Sequence, residues 1–357
     1  MIIGGGILQV PAIQTAIAMG IKTIVTDYDP NAYGLKIAHY PVIMSTRDVD
    51  GTVRAAKELS KKIPIDGVIT VGTDASKTVA AVANSLGLPG IKFEDAECAS
   101  NKIKMRMRFK QHNVPCPDFY GVWTYNEALE AFHKLPKPVV VKPADNMGAR
   151  GVRKVSDAEE LVEAFESAKK NSPSGEIIIE EYMEGDELSI DSLIFDNEVF
   201  ITGIADRIIE YPPYFVETGH IMPSLKSKEV QEEAVRVMKL GIKALGLNIG
   251  AAKGDIKVTA QGIKIVEMAA RLSGGFMSTY TYPYSTGVNL MKAAISIVLG
   301  HKPTAKDLTP QWNRVSIEKA IIPAPGTIKE VRNLDAAEKI PGVKNIFITK
   351  EIGDDIK

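Results

Sequence analysis

Lys142 closes a run of valines, Val139-Val140-Val141, and just beyond it the chain reads Asn146-Met147-Gly148-Ala149-Arg150-Gly151-Val152. A lysine at the end of a strand supplies a point charge for phosphate. A glycine loop beside it supplies backbone N–H donors that approach closely, because glycine has no Cβ. A second lysine, Lys102, follows Asn101 at the start of a basic helix. Together these residues favour a polyphosphate ligand, and hence a nucleotide. The spacing is not Gly-x4-Gly-Lys-Ser/Thr, which excludes a Walker-type P-loop. The plainer readings are a solvated helix-face cation for Lys102, a surface lysine for Lys142 and an ordinary hairpin turn for Gly148 and Gly151.

These residues need a scaffold, and the chain has room for one. At 357 residues it is long enough for about two or three domains with substantial cores. Its hydrophobic share of 45% and charged share of 24% are those of an ordinary soluble globular protein. A formal net charge of −1 argues against nucleic acid as the main partner. No apolar run approaches the roughly 20 residues that span a bilayer. The N-terminus lacks the charged start and apolar stretch of a secretory signal, so a cytoplasmic location is expected. Cys98 and Cys116 are too few for a disulfide framework and wrongly spaced for zinc.

Up to Pro89-Gly90 the chain alternates β-rich runs at 21–26 and 67–71 with amphipathic helices at 11–19, 49–61 and 76–86. Such alternation predicts a parallel, doubly wound sheet. The basic helix at 102–111 then leads through Val114-Pro115-Cys116-Pro117 into a smaller α+β segment. Within that segment Ser156 to Glu159 reads as a capping box and 177–181 as an apolar strand. A hairpin is expected from 188–195 and 198–204 across Asp196-Asn197. A long amphipathic helix over 228–245 carries Val230, Ala234, Val237, Met238, Ile242 and Leu245 on one stripe. Two β-runs follow at 249–258 and 262–268, then a helix at 290–299 and a β-rich piece from Pro303. Near the start, Gly4-Gly5-Gly6 with Asp27 invites a dinucleotide-binding reading. Gln9 stands where that fingerprint requires glycine or alanine, so a tight turn in a nucleotide-free domain is favoured.

In order and spacing these motifs resemble the ATP-grasp superfamily, in the branch of biotin carboxylase, the carbamoyl-phosphate synthase halves and the L-amino-acid ligases. The resemblance covers nearly the whole chain and implies an α/β architecture. A Rossmann-like pre-ATP-grasp domain would span 1–93, and a split ATP-grasp fold of two α+β subdomains 94–302, with a lid at about 119–182. A short β-rich C-terminal domain would take 303–357. By the same resemblance Lys102 and Lys142 would contact the phosphates of ATP, under a loop of Gly148, Ala149, Arg150 and Gly151. Backbone groups near Glu181 and Met183 would read the adenine, with Glu180 and Tyr182 beside them, and Glu187 would take the ribose. Asp255 and Glu267 would hold Mg²⁺ or Mn²⁺, hard cations that favour carboxylate and phosphate oxygens. Arg271, with Lys142, would stabilise the transferring phosphoryl group or an acyl-phosphate. His220, in Glu217-Thr218-Gly219-His220-Ile221-Met222-Pro223, would orient substrate or balance charge. One position departs from the pattern: Glu267-Met268-Ala269 stands where the family reads Glu-x-Asn. Alanine cannot ligate metal, so a second Mg²⁺ there would need water.

The activity so implied is an ATP-dependent carboxylate–amine ligase working through an acyl-phosphate, with a small carboxylate and an amine as partners and a homodimer typical of relatives. A bicarbonate enzyme working through carboxyphosphate is the first competitor. Against it stand the single ATP-grasp unit and the lack of a biotinyl Ala-Met-Lys-Met segment. A nucleotide-binding sensor is the second, and only Ala269 supports it. Plain roles also compete at single residues: strand-end acids for Glu180 and Glu187, surface carboxylates for Asp255 and Glu267, an ion-pair partner for Arg271, and a hydrogen-bonded fixture for His220.

Overall fold

The structure is a computed structural model that describes residues 1–356. At the N-terminus Ile2–Ile3, Ile24–Asp27 and Tyr40–Ile43 pair in parallel, with helices Val10–Ala18, Val49–Ser60 and Ser76–Leu86 between and after them. The strand expected over 67–71 shrinks to two isolated bridges. Ile69 pairs with Ile2 and extends this sheet, whereas Val71 pairs with Leu272, far along the chain. Pairing to two different elements prevents a continuous ladder. The glycine turn belongs to the domain's own architecture. The Asp27 carboxylate accepts from the N–H of Gly5 at 2.8 Å and of Asp29 at 3.0 Å, and the Gln9 amide donates to the Val71 carbonyl. The acid that would have faced a ribose fastens the turn.

A four-stranded antiparallel sheet follows, in the order Phe119–Val122, Ile177–Glu181, Val139–Pro143, Arg153–Val155. Helices Tyr125–Lys134 and Ala158–Asn171 bury Ala128, Phe132, Leu161 and Phe165 against Val139, Val141, Ile177 and Ile179. Each such large side chain contributes about 1.5–3 kcal/mol by leaving water. The second helix is capped one residue later than the sequence pattern suggests. Asp157, not Ser156, is the cap, one of its carboxylate oxygens accepting the N–H groups of both Glu159 and Glu160.

The large sheet has six antiparallel strands in the order Gly262–Ala269, Gly250–Thr259, Asp186–Phe195, Glu198–Glu210, Val216–Met222, Ser316–Lys319. The hairpin between its third and fourth strands turns at Asp196 and Asn197, both at positive φ (+49° and +65°), as such tight turns require. Helix Lys228–Ala244 packs Ala234, Val237, Met238 and Ile242 on Ile256, Ile265 and Met268. The segment from 217 to 223, which the family resemblance implies is a loop near the acceptor carboxylate, forms most of the strand Val216–Met222. At its centre a side chain on Gly219 would collide with the Glu318 carbonyl, so glycine lets the edge strand approach. Residues up to Lys319 form one compact unit. From Ala320 a separate small unit holds helix Leu334–Glu338 and the pairing of Gly326–Thr327 with Asp355–Ile356.

Candidate active site

The helix Lys102–Gln111 starts where its first residue can act. Asn101 caps it, accepting from the N–H of Ile103 and Lys104, and the Lys102 N–H donates to the Ala144 carbonyl at 2.7 Å. That bond sets the helix against the end of the Val139–Pro143 strand. The buried Lys102 ammonium then donates to the Asn146 carbonyl at 2.7 Å, at the root of the glycine loop, and lies 3.1 Å from Glu267 Oε1. One lysine thus ties the loop to the candidate metal acid.

One helical turn on from Lys102, Arg106 is fully buried, with its Nε donating to Glu180 Oε1 at 2.7 Å. Lys142 donates to the other oxygen, Oε2, at 2.5 Å. Burial alone would raise the Glu180 pKa, but Arg106 and Lys142 outweigh it and hold the carboxyl below its ordinary range. Two cations on one carboxylate leave a surplus positive charge on the lid strand, the half-buried Lys142 being the member that can turn to a phosphate. Glu180 therefore sits inside an ion triad with Arg106 and Lys142.

In the loop Gly148, Ala149 and Gly151 all have positive φ (+69°, +55° and +71°). A Cβ on Gly151 would lie 2.9 Å from Asn171 Cβ and 3.1 Å from the Ser167 carbonyl, whereas one on Gly148 would meet nothing within 4 Å. The loop is packed at its far end and open at its tip.

At the hinge the Glu181 N–H donates to the Asp118 carbonyl at 3.0 Å and the Tyr182 N–H to that of Pro138 at 3.2 Å. The Glu181 carboxylate takes Lys264 Nζ at 2.5 Å. Among the described residues nothing accepts from the Met183 N–H, which leaves it as the hinge donor available to a base. The Tyr182 ring lies under Lys154 Nζ, 4.1 Å from the ring centre, and beside Phe215. Both oxygens of Glu187 are paired, with Arg207 at 2.7 Å and Lys257 at 3.1 Å.

Asp255 and Glu267 face each other as direct cross-strand partners, with a bulge just after Asp255. Asp255 Oδ2 meets Lys253 at 2.8 Å and Arg207 at 3.3 Å, while Oδ1 is buried without a partner. Burial of Glu267 is outweighed by Lys102, Lys253 and Lys142, which lower its carboxyl to about 2. Glu267 thus stays ionised, and Asp255 keeps one oxygen clear of its two cations. Among the described residues no three His, Cys, Asp or Glu side chains group to hold a metal. An ion on this pair would complete its shell with phosphate oxygens and water, as Mg²⁺ commonly does. The donor set fits. Ala269 is buried in the same strand and offers no oxygen.

Arg271 and His220 stand on the other side. Arg271 is buried, donates to the Leu272 carbonyl at 3.3 Å, and its Nε lacks a hydrogen-bond partner, Asp74 being 3.7 Å away. Its loop is pinned by Asp191, which accepts from the Ser273 N–H at 3.0 Å and Oγ at 2.8 Å; burial pushes the Asp191 carboxyl up to about 6. His220 Nδ1 lies 3.1 Å from Glu318 Oε2, and Nε2 3.6 Å from Glu217 Oε2. Burial would raise the Glu217 pKa, but Arg207 foremost, with Lys253 and His220, holds it far below the usual range. An apolar cavity lined by Val79, Ile91, Ile249 and Leu272 meets this region only at Arg271 and carries none of its other charges.

Sequence reasoning missed Arg106, Arg207, Lys253, Asp191 and Glu318. Arg106 had a signal, since four residues from Lys102 puts both on one helix face. Arg207 had none, because its three carboxylates come from three other strands.

An ATP-grasp N-terminal domain family matches residues 13–90, and an ATP-grasp domain family matches residues 135–280. The chain is 23% identical over 326 residues to carnosine synthase 1 of Homo sapiens, covering 84% of this chain and 39% of that protein. It is 28% identical over 287 residues to the carbamoyl phosphate synthase large chain of Thermotoga petrophila, covering 78% of this chain and 24% of that one. The chain therefore spans well under half of either relative. Its fold matches the crystal structure of an L-amino acid ligase from Bacillus licheniformis, with a TM-score of 0.85 at 24% identity, over 100% of this chain and 88% of the other.

Proposed function

From the premise that this chain belongs to the ATP-grasp superfamily, we propose that it is an ATP-dependent carboxylate–amine ligase acting through an acyl-phosphate. The observation that carries the reading is the convergence of Lys102, the glycine loop and Glu267, joined by contacts of 2.7 and 3.1 Å. In this reading Lys102 and Lys142 hold the phosphates and the Gly148–Gly151 tip closes over them. Mg²⁺ on Asp255 and Glu267 would neutralise charge developing on the transferred phosphoryl group. Arg271, whose Nε has no hydrogen-bond partner, steadies that group and the acyl-phosphate it forms. An incoming amine then displaces phosphate near His220. None of these steps needs a covalent protein nucleophile; positioning and charge suffice. The lid sheet carries Lys142 and the loop, so its closure would also exclude the water that hydrolyses an acyl-phosphate.

The test is MgATP-dependent phosphate release against pooled amino acids, other small carboxylates and bicarbonate, with Lys142→Ala as control. Release that requires an acid plus an amine, and fails in Lys142→Ala, is the expected result. Release on bicarbonate alone would move the protein to carboxyphosphate chemistry, the reading favoured by the likeness to the carbamoyl phosphate synthase large chain. Firm ATP binding with no turnover on any pool would identify a sensor.

A further inference from the structure

We infer that Glu318 is a positioning residue that orients His220 as the proton acceptor for the incoming amine, an assignment that rests on the ligase reading. Glu318 lies on the last strand of the large sheet, outside the residues matched by the ATP-grasp domain family, directly opposite His220 in the ladder. Its Oε2 is 3.1 Å from His220 Nδ1. An ionised carboxylate there accepts a hydrogen bond from Nδ1–H, which selects the tautomer whose Nε2 carries the lone pair. Nε2 is buried and has no hydrogen-bond partner. Such a nitrogen in a polar cluster marks a place for a ligand atom.

Three charged groups face this imidazole. Glu318 comes from the edge strand, Glu217 from His220's own strand, and Arg207 from the strand on the other side, where it is the cross-strand neighbour of His220. Glu217 does not compete for Nε2. Its Oε2 already accepts from Arg207 Nε at 2.9 Å and Nη2 at 2.5 Å, and it stands 3.6 Å from Nε2, beyond hydrogen-bond reach. The loop that carries Arg271 lies over this group. A Cβ on Gly275 would come 3.4 Å from His220 Cε1, 3.3 Å from Glu318 Oε1 and 3.0 Å from Glu217 Oε1. Gly275 has φ +58°, and a larger residue would fill the space where the histidine edge meets the loop.

The chemistry balances without any further reagent. The amine nitrogen lone pair forms the C–N bond at the acyl carbon of the acyl-phosphate. The C–O bond to phosphate breaks, and its electron pair leaves with the phosphate. The proton released by nitrogen moves to His220 Nε2, while the Nδ1 proton stays between imidazole and Glu318. This is the logic by which a buried carboxylate fixes a catalytic histidine's tautomer elsewhere.

The experiment separates the two half-reactions. A pool of the protein amino acids serves as acid and amine with MgATP; in a parallel arm hydroxylamine, a strong nucleophile that needs little base assistance, traps the acyl-phosphate as hydroxamate. Glu318→Gln should depress amide formation about 10²-fold more than hydroxamate formation, the usual share of a general base. The loss should fall on kcat and shrink with rising pH. Glu318→Gln placed in a His220→Asn background should cost no more than His220→Asn alone. Equal depression of both arms would overturn the proposal and give Glu318 a merely structural role. Full amide synthesis by Glu318→Gln would also overturn it, with the ligase reading intact. If the wild-type protein forms neither hydroxamate nor amide, the ligase reading falls first and this assignment falls with it. Hydroxamate formation by the variant also certifies that it has folded.

Discussion

Removal of the Glu180 carboxylate is the most exacting test of the site's construction. Arg106 is fully buried, and without Glu180 it keeps, among the described residues, the Val266 carbonyl, the Met105 sulfur at 3.7 Å and the Phe109 ring 6.0 Å away. Lys142 is 12% exposed at its side chain and can regain water. The penalty therefore falls on Arg106. Stripping one partner from a buried ion pair costs about 3–5 kcal/mol, because the other charge stays desolvated. Glu180→Ala should lose that much in urea unfolding at pH 7, followed by circular dichroism and by the fluorescence of Trp123, which lies on the lid. Lys142→Met leaves the Arg106–Glu180 bond intact and should cost less, about 1–3 kcal/mol for a charge-assisted hydrogen bond. The pH dependence has a definite sign. The Glu180 carboxyl is held below its ordinary range when folded, chiefly by Arg106 acting against burial. Its stabilisation is thus present above the unfolded carboxylate pKa and disappears as pH falls through the lowered folded value. Glu180→Ala should flatten that acid limb. A Glu180→Ala loss under about 1 kcal/mol, or a Lys142→Met loss equal to it, would refute the claim that Arg106 carries the penalty.

Gly151→Ala should destabilise by about 2–4 kcal/mol from positive φ plus collision with Asn171, and Gly148→Ala by only about 1 kcal/mol, as thermal unfolding will show. Asp191 is protonated more readily folded than unfolded, its carboxyl standing at about 6 against 3.8. Stability is accordingly lost as pH rises from the unfolded value through 6, by up to about 3 kcal/mol, and Asp191→Asn should remove that dependence in unfolding curves at pH 5 and 8. Asp255→Asn should reduce metal-dependent ATP turnover by about 10²-fold or more, with Mn²⁺ affinity in the presence of nucleotide falling in parallel by calorimetry. Unchanged Mn²⁺ affinity in that variant would remove Asp255 from the metal pair.

What the amino-acid order determined by itself was local. The stripe on Lys228–Ala244, the turn at Asp196-Asn197, the basic helix opening at Asn101-Lys102 and the lysine ending a valine run follow from periods and turn-forming residues within a few positions. The same locality placed Lys102, Lys142, Gly151, Asp255 and Glu267 on elements that the fold brings together. The Val216–Met222 strand escaped, because its hydrogen bonds come from residues 206–210 and 316–319. Charge pairing escaped for the same reason. Glu180 and Glu187 are acids at strand ends in sequence, but Arg106 and Arg207 claim them in space, and those partners lie 74 and 20 positions away. Likewise the tautomer of His220 depends on a carboxylate 98 positions downstream. A side chain's burial and its ion partners are set by whichever strand the ladder lays beside it, and that register is a property of the folded sheets.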